Sequence, residues 1–241
     1  MLENKKLIIF DLDGTLIDSV GVWNKIDEEL IKAIGGTVEE GIDIGKRRDT
    51  KLAEFSKCED AYVEYCGYLG KIYGSSLSAQ EIRKLRYQIS ERLLREEVAY
   101  KPLAPETLKY LKAKGFQMVI GSTTNEYTIE VYKKENKSII NKAPLDEYFQ
   151  SIYAKKAVNE LKPNPALHYK IMKDFAVLSE ECFIIEDSLI GVQAANAANI
   201  DVAVMYDKYS DASREEINSL ANYHFKDFEE LLTTLKQELG E

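Results

Sequence analysis

The chain has 241 residues and a net charge of −9, with 45% hydrophobic and 30% charged residues, enough for one large globular domain or a core carrying a smaller inserted one. The acidic balance argues against nucleic acid as a partner, because a phosphate backbone is met by a basic face. No run approaches the ~18 consecutive apolar residues of a membrane span, and the apolar run in the opening MLENKKLIIF is too short for a signal peptide.

Lys5–Phe10 reads as a buried strand, short, continuous and rich in Ile and Leu. Val22–Ile34 has helical spacing, with Trp23, Ile26, Leu30, Ile31 and Ile34 on one side and Gly35-Gly36 as the stop. From about Lys51 to Val98 the chain reads as mostly helical, and Ser78-Ala79-Gln80-Glu81 is a capping-box pattern opening a long helix. After Pro102 and Pro105 the texture changes. Helices are expected over Glu106–Lys114, Asn125–Lys134, Pro165–Phe175 and Leu189–Ala198. Strands are expected over Phe116–Ile120, Ser151–Ala154, Cys182–Ile185 and Val202–Met205. Helices near Ser213–Leu220 and Asp227–Leu239 close the chain. Strands alternating with helices imply an α/β fold, a parallel sheet covered on both faces. The helical block interrupts that alternation, so it reads as an insertion at 18–99 within a core made of 1–17 and 100–241.

In an open parallel sheet, ligands bind just past the carboxyl ends of the strands. Asp11 and Asp13 follow the first strand, Ser122, Thr123 and Thr124 follow FQMVIG, and Glu186 and Asp187 follow CFII. Lys162 stands before Pro163, ahead of a helix. Each has a bland reading as a turn, a helix cap or a solvated lysine. Together, four separated segments deliver carboxylates, a hydroxyl and an ammonium to one edge. That is the charge set needed to hold Mg²⁺ and a phosphoryl group.

The joint order resembles the haloacid dehalogenase-like hydrolase superfamily over nearly the whole chain. FDLDGTLIDS matches the first family motif, VIGST looks like the second, LKPNP the third and FIIEDSLIGVQAANAA the fourth. The insertion after the first motif is similar to the subclass with a helical-bundle cap. Within that subclass the likeness is to the branch of β-phosphoglucomutase and small-metabolite phosphatases. Ala198-Asn199-Ile200 departs from the family's usual Ala-Gly ending, a detail of helix termination.

The resemblance implies a Rossmann-like core, and roles for the core residues. Asp11 is the expected nucleophile, forming an aspartyl-phosphate. Asp13 is the expected proton donor to the leaving oxygen and acceptor from the attacking water. Asp11, the Asp13 carbonyl, Asp187 and Glu186 are the expected metal set for Mg²⁺. Ser122 would hydrogen-bond a phosphoryl oxygen and Lys162 would bridge it to Asp11. Gly14 and Thr123 are counted among the substrate-binding residues. Asp13 favours phosphate-ester over carbon–halogen chemistry, since dehalogenases of the family generally lack it.

The expected function is a Mg²⁺-dependent phosphatase of a small phosphorylated metabolite. A phosphoglucomutase-type isomerase and a non-catalytic regulator are the alternatives. The mutase carries a histidine where Trp23 stands and a lysine where Ile44 stands. Lys46, Arg47 and Arg48 form a basic cluster that reads either as a solvated helix start or as a group, Arg48 above all, reaching a substrate anion. Cys58, Cys66 and Cys182 form no CxxC pair and leave one unpaired, which suggests a reducing cytoplasm. A monomer or homodimer is expected, with no nucleic acid and no membrane as partner.

Overall fold

The computed structural model describes residues 1–240 and divides into two compact units, Met1–Asp18 together with Val98 onward, and Ser19–Glu97. The first is built on six parallel strands, β1 (Leu7–Phe10), β2 (Gln117–Gly121), β3 (Ser151–Tyr153), β4 (Cys182–Glu186), β5 (Asp201–Met205) and β6 (Tyr223–Phe225). Their order across the sheet is β3-β2-β1-β4-β5-β6. The central strand β1 pairs with both β2 and β4, Phe10 lying level with Ile120 and Ile185. This register sets the three strand ends side by side. β1 and β4 are buried along their whole length, as unbroken apolar runs covered on both faces require.

The helices of this unit are α5 (Ala104–Ala113), α6 (Glu126–Lys134), α7 (Lys137–Lys142), α8 (Leu145–Tyr148), α9 (Ala166–Phe175), α10 (Leu189–Ala197), α11 (Arg214–Leu220) and α12 (Phe228–Leu239). Under the sheet, Leu167 and Ile171 of α9 and Val192 and Ala195 of α10 pack in one core with Ile9, Val119, Ile184 and Val202. The expected elements appear within a few residues of their predicted limits. Three were not anticipated. KSIINK and LDEY form the short helices α7 and α8, which are too brief to show a periodic apolar face. YHF forms the edge strand β6, recruited by pairing to β5 rather than by its own propensity.

The second unit holds α1 (Val20–Ala33), α2 (Ile44–Glu54), α3 (Ala61–Ile72) and α4 (Ala79–Glu96). The capping box at Ser78 and Glu81 opens α4, as its sequence pattern requires. Ile26, Leu30, Ile31, Leu69, Ile82, Leu93 and Leu94 are buried. Among them lies Asp27, with no exposure at all. It accepts from Arg86 Nε at 2.8 Å and Arg48 Nη1 at 3.2 Å, so the buried carboxylate is paired twice. The chain leaves the first unit and returns to it as two paired segments. Asp18 N donates to the Ala99 carbonyl and Lys101 N to that of Leu16, both at 2.9 Å. The three cysteines are free, and among the described residues no helix is long and apolar enough to cross a membrane.

Candidate active site

Asp11 sits one residue past β1, its N–H donating to the Ile185 carbonyl of β4 at 2.9 Å. The chain then turns sharply, Leu16 and Ile17 both donating to the Leu12 carbonyl at 3.0 Å. Gly14 makes the turn possible with φ of +90°, and a Cβ there would lie 2.6 Å from Asp187 Oδ2. Both facts demand glycine. Its role is thus the close approach of the first turn to the carboxylate beyond β4.

Lys162 is buried, and its ammonium donates to Asp11 Oδ1 at 2.7 Å and Glu186 Oε1 at 2.6 Å. The other Glu186 oxygen accepts from Asp187 N, Ser188 N and Ser188 Oγ at 2.9 to 3.0 Å. Those donors open α10, so the carboxylate also gains from the helix N-terminus. It lies so close to the helix that a Cβ on Gly191 would come within 1.8 Å of Oε1. Asp187 Oδ1 accepts from Thr15 Oγ1 at 2.7 Å.

Three buried carboxylates, Asp11, Glu186 and Asp187, each offer an oxygen within 4.8 Å of the others. One ammonium balances part of this charge. Burial pushes the Asp11 carboxyl up to about 7; Lys162 opposes the shift and Glu186 adds to it. Asp187 is also raised well above the ordinary carboxylate range, by burial and then by the charges of Glu186 and Asp11. Glu186 moves the other way: burial would raise it, but the Lys162 charge and hydrogen bond with the Ser188 and Asp187 N–H groups hold it low. Burial alone would lower the Lys162 ammonium, and Asp11 and Glu186 outweigh it, leaving it well above the ordinary lysine value. An uncompensated cluster of this kind fits a hard divalent cation. Asp11 Oδ2 and Asp187 Oδ2 stand outside the hydrogen bonds described, while both oxygens of Glu186 are taken.

Asp13 is half-buried, and hydroxyls engage both of its carboxylate oxygens. Tyr132 OH of α6 donates to Oδ1 at 3.1 Å, and Thr124 Oγ1 donates to Oδ2. Ser122 is buried just past β2, and its Oγ donates to Thr124 Oγ1 at 2.9 Å. Thr123 follows it, half-buried. Thr15 and Tyr132 were not singled out as functional in the sequence, and Thr124 was named there only as following the strand, with no role. Thr15 stands inside DLDGT, so a signal existed for it; Tyr132 has none in its local sequence.

Arg48 belongs to the helical unit. Its guanidinium is held there by Asp27, by Asn24 Oδ1 at 3.3 Å and by Asp49 at 3.0 Å, and only about 9% of the residue is exposed. Neither sequence reading, solvated or substrate-directed, included this ion pair. Trp23 lies on α1, half-buried.

A family model described as haloacid dehalogenase-like hydrolase matches residues 8–205. A phosphoglycolate phosphatase of Colwellia psychrerythraea is 30% identical over 244 aligned residues, covering 98% of this chain and 99% of its own. A phosphorylated carbohydrates phosphatase of Thermotoga maritima is 22% identical, covering 80% of this chain and 82% of its own. A solved structure from Thermotoga maritima, provisionally assigned as a β-phosphoglucomutase, shares the fold with a TM-score of 0.77 at 21% identity, over 96% of this chain and 99% of that one.

Proposed function

The chain belongs to the haloacid dehalogenase-like hydrolase family, as an enzyme acting on phosphoric monoesters, and from that premise we propose a Mg²⁺-dependent phosphatase of a small phosphorylated metabolite, working through an aspartyl-phosphate on Asp11. The observation that carries the proposal is the buried Lys162 bridge between Asp11 and Glu186, beside Asp187, with Asp13 two residues past Asp11 in the chain. Monoester hydrolysis needs a barrier reduction of roughly 20 kcal/mol. A buried cluster of fixed charges is the arrangement that supplies electrostatic stabilisation without reorganisation.

Asp11 Oδ2 attacks phosphorus, and the ester P–O bond breaks with its electron pair on the leaving oxygen. Asp13 gives its proton to that oxygen, releasing the alcohol. Asp13 then takes a proton from water as the water oxygen attacks phosphorus. The aspartyl P–O bond breaks, its pair returns to Asp11, and inorganic phosphate leaves. Ser122 donates to a phosphoryl oxygen, and Lys162 steadies both Asp11 and the transferred group as a point charge. Asp11, Asp187 and the Asp13 carbonyl would hold the Mg²⁺, with Glu186 supporting them from behind through Lys162 and Ser188. When bound, the cation neutralises the surplus carboxylate charge and polarises the phosphoryl oxygens.

Names of relatives support a phosphatase over a mutase, as do Trp23 and Ile44 at the two positions where the mutase carries other groups. The test is phosphate release from a panel of phosphorylated metabolites that includes 2-phosphoglycolate, with hexose-phosphate isomerisation followed in parallel. Hydrolysis that stops in excess chelator and returns with Mg²⁺ is expected. Isomerisation without net phosphate release would overturn the phosphatase reading.

A further inference from the structure

We propose that Tyr132, together with Thr124, is a positioning residue for the Asp13 carboxylate, fixing the proton-transfer group in the orientation the reaction uses. The inference rests on the reading of Asp13 as acid and base given above, and it adds a device that no motif of the chain announces.

Asp13 is two residues past the nucleophile, on a turn, and half-buried. A carboxylate there has a broad terminal torsion, and the charged surroundings give it more than one place to point. Asp13 lies near enough to Asp11 for its charge to be felt there, and Asp11 is itself held by the Lys162 ammonium. An Asp13 drawn toward that ammonium would be lost as a proton donor. Two hydroxyls from the β2–α6 segment prevent this by engaging one oxygen each.

The two holds differ in stiffness. Tyr132 has no exposure, and its ring is fixed in α6, whose first turn is anchored by Asn125 accepting from Thr128 N at 2.9 Å. Its hydroxyl is therefore a fixed point that binds Oδ1 without adding charge. Thr124 is the exchangeable hold. Its hydroxyl turns about one bond, donates to Oδ2 and accepts from Ser122 Oγ, while its N–H donates to Ser122 Oγ at 3.2 Å. A chain of contacts thus runs Ser122–Thr124–Asp13–Tyr132, joining the hydroxyl assigned to the phosphoryl group to the carboxylate assigned to the proton. When a phosphoryl oxygen accepts the hydrogen bond that Ser122 had given to Thr124, Thr124 is free to turn away, and Oδ2 becomes the oxygen that carries the proton Asp13 takes up from solvent. In the assisted step the Asp13 O–H bond breaks, its pair stays on the carboxylate, and the proton joins the leaving oxygen. Tyr132 and Thr124 neither gain nor lose a proton.

A positioning role leaves a signature that simple damage to the fold does not. General-acid help matters most for a poor leaving group, where it is worth ~10²- to 10⁴-fold, and least for a good one. The experiment measures kcat/KM, which reports events through alcohol release, for p-nitrophenyl, phenyl and ethyl phosphate with Mg²⁺. Tyr132→Phe is expected to lose about 3-fold on p-nitrophenyl phosphate and about 30-fold or more on ethyl phosphate, part of the general-acid contribution. Thr124→Val should show the same tilt, and Thr124→Ser, which keeps the hydroxyl, should restore the parent's dependence. The threonine pair keeps the test decisive if Tyr132→Phe fails to fold. Asp13→Asn is measured alongside and sets the steepest tilt. Losses equal on all three esters, with Asp13→Asn steep, would overturn the inference alone. A flat Asp13→Asn series would overturn the acid reading and the inference with it.

Discussion

Replacing Asp11 with asparagine should abolish turnover and, in metal-free protein, make the fold more stable at pH 8. The reason lies in the buried carboxylate. Its folded value is raised from the ordinary 3.8 to about 7, first by burial and also by the charge of Glu186, against the pull of Lys162. The folded state therefore binds a proton more tightly than the unfolded chain between those values, and stability falls as pH rises through the window. Below about pH 4 the group is protonated in both states and nothing is lost. Each pH unit of difference is worth ~1.4 kcal/mol, so the penalty reaches about 4 kcal/mol above pH 7. The carboxamide of the variant mimics the neutral carboxyl at every pH. Thermal melts in excess chelator should show parent and Asp11→Asn together near pH 4, and the variant ahead by about 10 °C at pH 8, taking ~2–4 °C per kcal/mol for a chain of this size. Saturating Mg²⁺ should narrow the gap, because it binds the ionised folded parent. A variant no more stable than the parent at pH 8, or a gap that widens toward acid, would show that the buried Asp11 carboxylate does not destabilise the fold.

Gly191→Ala should displace Glu186, since the new Cβ would fall 1.8 Å from Oε1; a loss of about 10²-fold in kcat/KM is expected from misplacing the Lys162–Glu186 pair, and parental kinetics would show that α10 yields instead. Arg48→Ala leaves Asp27 buried with Arg86 alone, so urea melts should show a loss of about 3 kcal/mol, whereas an unchanged midpoint would make the Arg48–Asp27 contact energetically idle. Asp187→Ala should raise the Mg²⁺ concentration needed for half-maximal activity by at least about tenfold, one ligand's worth of ~1.4 kcal/mol; an unchanged requirement would remove Asp187 from the metal set.

The strand-end residues were legible because a carboxylate closing an apolar run is costly unless something uses it. Asp11, Asp13, Glu186 and Asp187 all announce themselves in this way. Lys162 did so only through its neighbours Leu161 and Pro163 and the family order. Tyr132 was hidden because its partner Asp13 lies 119 residues away, and a tyrosine on a helix face looks like any other core residue. Asp27 was hidden for the same reason: it sits beside Ile26 on a helical face, and Arg86, 59 residues on, explains it. Asn199 shows a departure from family pattern that the structure accounts for. It follows α10 with φ of +55°, a left-handed residue where glycine is favoured and asparagine is tolerated.

Covalent transfer to Asp11 can be caught by rapid acid quench during turnover of a ³²P-labelled monoester, followed by peptide mapping. An acid-stable, base-labile acyl phosphate is expected on the peptide that contains Asp11, formed at least as fast as steady-state turnover and absent from Asp11→Asn. Phosphate bound at another residue, or turnover with no protein-bound phosphate at any quench time, would contradict covalent transfer to Asp11.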